Sequence, residues 1–183
     1  MTSAWQDNSQ RYGRISRVLH WGMALLFAWQ FMGMIYKVSF GVSPAESAIV
    51  RSHGPMGLVL LLLLVLRLSW AFMNRDKRPA YESSLAGTLA RWGHCLMYLL
   101  MLVIPVLALL RAYGSGRGFA PWGIQLMEAT GIKVEWMMAP ANAVHGLLGW
   151  TLLALIAGHA LMALVHHFIM RDGSLRRMVG NKA

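Results

Sequence analysis

Apolar residues gather in four long runs, at 15–36, 49–73, 88–111 and 141–169, separated by charged or glycine-rich stretches. A hydrocarbon core of about 30 Å takes roughly 20 residues of helix to cross. In lipid every backbone N–H and C=O must find a partner, which an α-helix supplies within the segment. The pattern therefore predicts an all-α, integral membrane four-helix bundle with up-and-down connections. This domain occupies 15–169, between a polar, loose N-terminal tail (1–14) and a basic tail (170–183).

The connections differ in character. Residues 37–48 carry Gly41, Ser43 and Pro44 and read as a short turn, while 74–84 are charged and interrupted by Pro79. The stretch 112–140 mixes five glycines with Trp122, Met127, Trp136 and Met137, too apolar for a plain linker. It is expected as a cap lying on the membrane surface, with a short amphipathic helix near 124–130. Pro105 is expected to kink the third helix. Trp29, Tyr36, Trp70, Trp92, Tyr98, Tyr113 and Trp150 fall near interface depths, where amphipathic rings anchor helices.

Composition agrees: 57% of residues are hydrophobic and 13% charged, with a mean hydropathy of +0.48. The net charge of +10 reports topology rather than nucleic-acid binding, because the cations are sorted by side. Eleven of the seventeen Lys and Arg residues flank one set of span ends: Arg11, Arg14, Arg17, Arg75, Lys77, Arg78, Arg91, Arg171, Arg176, Arg177 and Lys182. Lys37, Arg51, Arg111, Arg117 and Lys133 lie on the other side, and Arg67 falls within the second run. The positive-inside bias then puts both termini in the cytoplasm. The first run is expected to be retained rather than cleaved as a signal peptide, since no small-residue cleavage pattern follows Met34 or Lys37.

Ionisable side chains are costly inside a bilayer, so histidines within the runs need a partner, a pore or a metal. By depth they form two layers. His53 and His145 lie near the outer ends of the second and fourth runs; His20, His94 and His159 lie toward the inner ends of the first, third and fourth. His145 and His159 are fourteen residues apart, which on a helix means about 21 Å of rise and a facing difference of roughly 40°. The pattern H-G-x-x-G occurs twice at matching depth, at His53-Gly54-Pro55-Met56-Gly57 and His145-Gly146-Leu147-Leu148-Gly149. Glycine there allows close helix approach and leaves room for a flat macrocycle. Zinc and copper sites favour more closely grouped ligands with thiolates or carboxylates. Two neutral imidazoles from separate apolar helices suit a haem iron, and filling both axial positions favours electron transfer. The single cysteine, Cys95, and the lack of C-x-x-C-H imply non-covalent, b-type haem. In the inner layer His159 is one expected ligand, and spacing leaves His20 and His94 open as the other.

An ordered set of motifs carries a resemblance: Arg17-Val18-Leu19-His20-Trp21, His53-Gly54, Arg67, Gly93-His94, His145-Gly146, Gly158-His159, His166-His167-Phe168, and Arg171-Asp172-Gly173-Ser174-Leu175-Arg176-Arg177-Met178. Over nearly its whole length the chain resembles the bacterial cytochrome b561 family, and within it the small di-haem members that oxidise superoxide. The resemblance implies a multi-pass protein of the bacterial inner membrane with two haem b. It implies that His20 and His159 ligate the cytoplasmic haem, and His53 and His145 the periplasmic one. It leaves His94 and His166 free near the cytoplasmic face, as catalytic residues of a ubiquinone site.

Two such haems would form an electron path across the membrane, and a histidine near neutral pH is a natural proton carrier for a quinone. Lys37, Arg51, Arg111, Arg117 and Lys133 would give the periplasmic face a positive rim, which raises the on-rate of a small anion such as superoxide by roughly ten to a thousandfold. Arg51, like Arg111, is also expected to pair with propionates of the outer haem, and Arg67 with those of the inner. The competing expectation is an electron-transfer subunit without its own substrate, linking quinol or quinone to a redox partner protein such as a dehydrogenase.

Overall fold

The structure is a computed structural model, which describes residues 4–79 and 84–180. Four long helices account for the four apolar runs: α1 (Arg14–Phe40), α3 (His53–Met73), α4 (Leu85–Gly114) and α5 (Glu135–Val165). Two short helices accompany them, α2 (Ala48–Arg51) before α3 and α6 (Ser174–Val179) near the C-terminal end. A π-helical segment, His166–Met170, prolongs α5. Each long helix is long and apolar enough to span a membrane. The protein is an all-α, multi-pass membrane protein. Lys182 and residues 80–83 of the charged connection lie outside the described residues.

Few side chains are fully enclosed, and large apolar residues such as Leu25, Phe72 and Leu147 are each about 70% exposed. A soluble protein rarely leaves so much apolar surface open, whereas in a bilayer that surface meets acyl chains. The second run divides at Ser52, where α2 ends and α3 begins with the candidate ligand His53. Pro105 lies inside an unbroken α4 and Pro140 inside α5; each removes a donor at no more than one helical position.

The chain forms two compact units, each gathering one part of every long helix. The first comprises 1–25, 63–97 and 154–183, the second 26–62 and 98–153.

In the first unit Asp7 and Gly13, within the segment expected to be loose, are fastened. Asp7 is buried and accepts hydrogen bonds from the Gly13 N–H and the Ser16 hydroxyl, both at 2.8 Å, and from Arg78 Nε at 2.8 Å. Trp70 Nε1 donates to Ser16 Oγ at 3.0 Å. A short polar stretch before a helix carries no local sign of this network, because its distant partners, Trp70 and Arg78, come from the end of α3 and beyond. Within the basic tail, residues 174–179 form α6. The last carbonyls of α6, which lack intrahelical donors, are capped by three groups from around the start of α1. Tyr12 N–H bonds Arg177 O at 3.3 Å, Trp21 Nε1 bonds Met178 O at 3.2 Å, and Arg17 Nη1 bonds Val179 O at 2.7 Å. Gly180 follows with a φ of +107°, and a β-carbon there would fall 1.3 Å from Arg17 Nη1.

In the second unit the long connection folds on itself. No helix forms over 124–130: the segment instead follows a single 3-10 turn, Pro121–Gly123, and an isolated antiparallel bridge joins Phe119 to Met127. Backbone bonds from Gly131 to Gly116 O (2.9 Å) and from Val134 to Gly114 O (2.8 Å) close the loop. Gly116 has φ +67°, and its β-carbon position lies 2.4 Å from Ile132 O. These glycine-dependent bonds override the amphipathic pattern.

Candidate functional site

The second unit brings the two H-G-x-x-G histidines together. His53 opens α3 and His145 lies on α5, with ring centroids 6.1 Å apart and planes at 72°. In both rings Nδ1 is buried and has no hydrogen-bond partner, while the His145 ring as a whole lies within hydrogen-bonding reach of the Ile104 backbone. Gln30 of α1 donates through Nε2 to the His53 carbonyl at 2.8 Å, and Trp29 Nε1 donates to Ser52 Oγ at 2.9 Å, one residue earlier. These two bonds hold the first turn of α3. Gln30 was not among the sequence-predicted site residues, although it is a lone uncharged amide deep in an apolar run.

The repeated glycines do different work in the two motifs. A β-carbon on Gly54 would meet Phe119 of the folded loop at 3.6 Å, and one on Gly57 would meet Gln30 at 3.4 Å. Gly146 and Gly149, by contrast, would meet nothing within 4 Å. The expectation of close helix approach therefore fails for α5, whose glycines leave open space beside His145.

In the first unit His20 of α1, His94 of α4 and His159 of α5 converge. The His20 and His159 centroids are 6.3 Å apart with planes at 82°, and those of His94 and His159 are 5.1 Å apart at 70°. Gly22, Gly93 and Gly158 each leave open space where a β-carbon would sit. Arg67 of α3 lies within electrostatic reach of all three rings.

The candidate cations separate. Arg111 lies within electrostatic reach of both His53 and His145, and Lys37 of His53. Arg51 is exposed on α2, and no contact joins it to either ring. His166 is not free: its Nδ1 pairs with Asp172 Oδ2. The turn that brings Asp172 back places Arg171 at φ +52° and Gly173 at φ +78°. Burial alone would raise the Asp172 carboxyl, but the Ser174 N–H, the His166 ring and the Ser174 hydroxyl outweigh it and hold the pKa at about 2. Asp172 was likewise absent from the predicted site, since the pairing depends on a non-glycine residue in left-handed conformation, which has no local signature.

A profile of prokaryotic cytochrome b561 matches residues 11–181. The chain belongs to the prokaryotic cytochrome b561 family. The relatives match end to end. The chain is 29% identical over 188 residues to cytochrome b561 homolog 2 of Escherichia coli K12, covering 98% of this chain and 97% of that one. It is 25% identical over 177 residues to the probable superoxide oxidase CybB of Yersinia pestis, covering 94% and 98%. Against cytochrome b561 homolog 1 of E. coli K12 the identity is 24% over 177 residues, covering 92% and 97%. Cytochromes b561 bind haem b and transfer electrons across the membrane, and this one is a multi-pass protein of the bacterial inner membrane.

Proposed function

We propose that this cytochrome b561 holds two haem b, one between His53 and His145 and one between His20 and His159, and that it oxidises periplasmic superoxide while reducing ubiquinone at the cytoplasmic side. The ring separations carry this reading. A metal bonded at about 2 Å to a nitrogen of each of two opposed imidazoles separates their ring centroids by about 6 Å. The 6.1 and 6.3 Å pairs fit that span. The 5.1 Å spacing of His94 and His159 is too short for it, which favours His20 over His94 as the partner of His159. The buried Nδ1 atoms and the open glycines of α5 also suit an imidazole-bound macrocycle.

Haem b, when bound, supplies a one-electron iron couple. The remaining roles belong to the chain. Gln30 and Trp29 hold the first turn of α3 and so orient His53. Arg111 and Lys37 place positive charge near the outer pair, which draws in superoxide and suits haem propionates; Arg67 does the latter for the inner pair. Arg51 contributes to the positive rim. At the cytoplasmic side His94, beside His159, and His166, oriented by Asp172, supply protons to the quinone. The net reaction balances as two superoxide anions, one ubiquinone and two protons giving two dioxygen molecules and one ubiquinol. The likeness to a probable superoxide oxidase supports the choice of donor.

Stopped-flow absorption of the purified, haem-loaded protein tests the proposal. Superoxide added without any protein partner is expected to reduce the haems within the mixing experiment, and ubiquinone to reoxidise them. Haems that quinol reduces and superoxide leaves oxidised would refute superoxide oxidation and favour an electron-transfer subunit that serves a dehydrogenase.

A further inference from the structure

The extension of α5 and helix α6 border a half-open cavity of about 230 Å³, lined by His167, Leu175, Arg176 and Val179. It is smaller than the roughly 300–1,000 Å³ of a site that swallows a drug-sized ligand, so it suits a single headgroup. Its lining pairs one guanidinium and one imidazole with two aliphatic side chains. That combination fits a compact anion attached to something apolar.

The described surroundings are rich in cations. Arg17, Arg171, Arg176 and Arg177 all lie in this unit around α6, and the Nε atoms of Arg17 and Arg177 are buried without an acceptor. The neighbouring carboxylate, Asp172, is occupied by His166 and by the Ser174 N–H. Helix α6 is held in place from its far end by Tyr12, Arg17 and Trp21, and those contacts leave the Arg176 guanidinium to the cavity. Beside it, Phe168, Ile169 and Met170 are 67%, 75% and 55% exposed where the fourth span ends. A ligand with a phosphate in the cavity and hydrocarbon against these three residues would satisfy both surfaces. Arg is well suited to phosphate because its planar fork donates two parallel hydrogen bonds.

We infer that this cavity is a binding site for one anionic glycerophospholipid, with its phosphate held by Arg176 and His167 and its acyl chains lying along Phe168, Ile169 and Met170. Basic pockets at the end of a membrane helix are suited to such headgroups. The inference stands apart from the haem and superoxide reading, since it uses none of those residues.

Native mass spectrometry of the whole haem-loaded protein, titrated in detergent with phosphatidylglycerol or phosphatidylcholine, tests it. The wild type is expected to retain one phosphatidylglycerol at about tenfold lower lipid concentration than phosphatidylcholine. Arg176→Gln and His167→Asn, each checked for an unchanged melting temperature, are expected to abolish that preference. Equal retention of the two lipids by the wild type, or an unchanged preference in Arg176→Gln, would overturn the inference. Displacement of the lipid by equimolar inorganic phosphate would also overturn it, by making the site one for a free anion. Should the variants melt early, Arg176→Lys decides: it keeps the charge and is expected to weaken the preference, and full retention would count against a forked phosphate contact.

Discussion

Replacing Asp7 with alanine deletes an acceptor on which three donors converge. Gly13 N–H, Ser16 Oγ and Arg78 Nε each lie 2.8 Å from its carboxylate, and the Asp7 side chain is wholly shielded from solvent. Removing one partner of a buried ion pair costs about 3–5 kcal/mol, because the other charge is left uncompensated. The Arg78 side chain keeps 24% of its exposure and can recover some hydration, which places the loss near the lower bound, about 3 kcal/mol. In a chain of this size each kcal/mol lowers the melting temperature by about 2–4 °C, so Asp7→Ala should melt about 6–12 °C below the wild type. Circular dichroism on the haem-loaded protein in detergent reads this directly. Arg78→Met, and the double variant, complete a cycle that should show a coupling of about 1–3 kcal/mol, since the two side chains share one network. The network tethers the start of α1, on which His20 lies six residues after Arg14, so inner-pair spectra should broaden as well. An Asp7→Ala protein melting within about 2 °C of the wild type would refute the reasoning.

Other substitutions probe the histidine layers and the C-terminal turn. His145→Ala should lower haem content from about two to about one per chain, measured by pyridine haemochrome; equal loss from both layers would undo the assignment. His94→Ala should keep the haems but slow ubiquinone reduction by about 10²-fold, as removal of a positioned proton donor does; loss of a haem would instead make it a ligand. Gly180→Ala places a β-carbon 1.3 Å from Arg17 Nη1 at a φ of +107°, and should loosen α6 by about 1–3 kcal/mol, read as faster hydrogen exchange over 174–179. Asp172 has its folded pKa depressed from 3.8 to about 2. Its stabilising contribution is therefore complete above the unfolded value and lost as pH falls through about 2. Asp172→Asn should remove that acid-dependent part, and a melting curve between pH 2 and 4 that matches the wild type would contradict it.

The membrane helices were legible because a span leaves a signal some twenty residues long that few local exceptions can hide. The layering of His53 with His145, and of His159 with His20 and His94, followed from depth, since helical rise converts position in a run directly into height. What the runs did not carry were lateral distances. Whether His20 or His94 suits His159 turns on 6.3 against 5.1 Å between rings on different helices. The tethering of residues 4–13 was hidden for the same reason, as Asp7 finds Arg78 from the far side of α3. The amphipathic pattern at 124–130 misled because backbone bonds among Gly114, Gly116 and Gly131 decided that loop. His166 read as free because its partner is six residues on, past a left-handed arginine.

The ratio of haem b to polypeptide in fully loaded, purified protein bears most directly on the paired-imidazole account. About two per chain, each with a bis-imidazole low-spin spectrum, is the value that the 6.1 and 6.3 Å pairs predict. A ratio that saturates at one, or a high-spin spectrum from either layer, would contradict it.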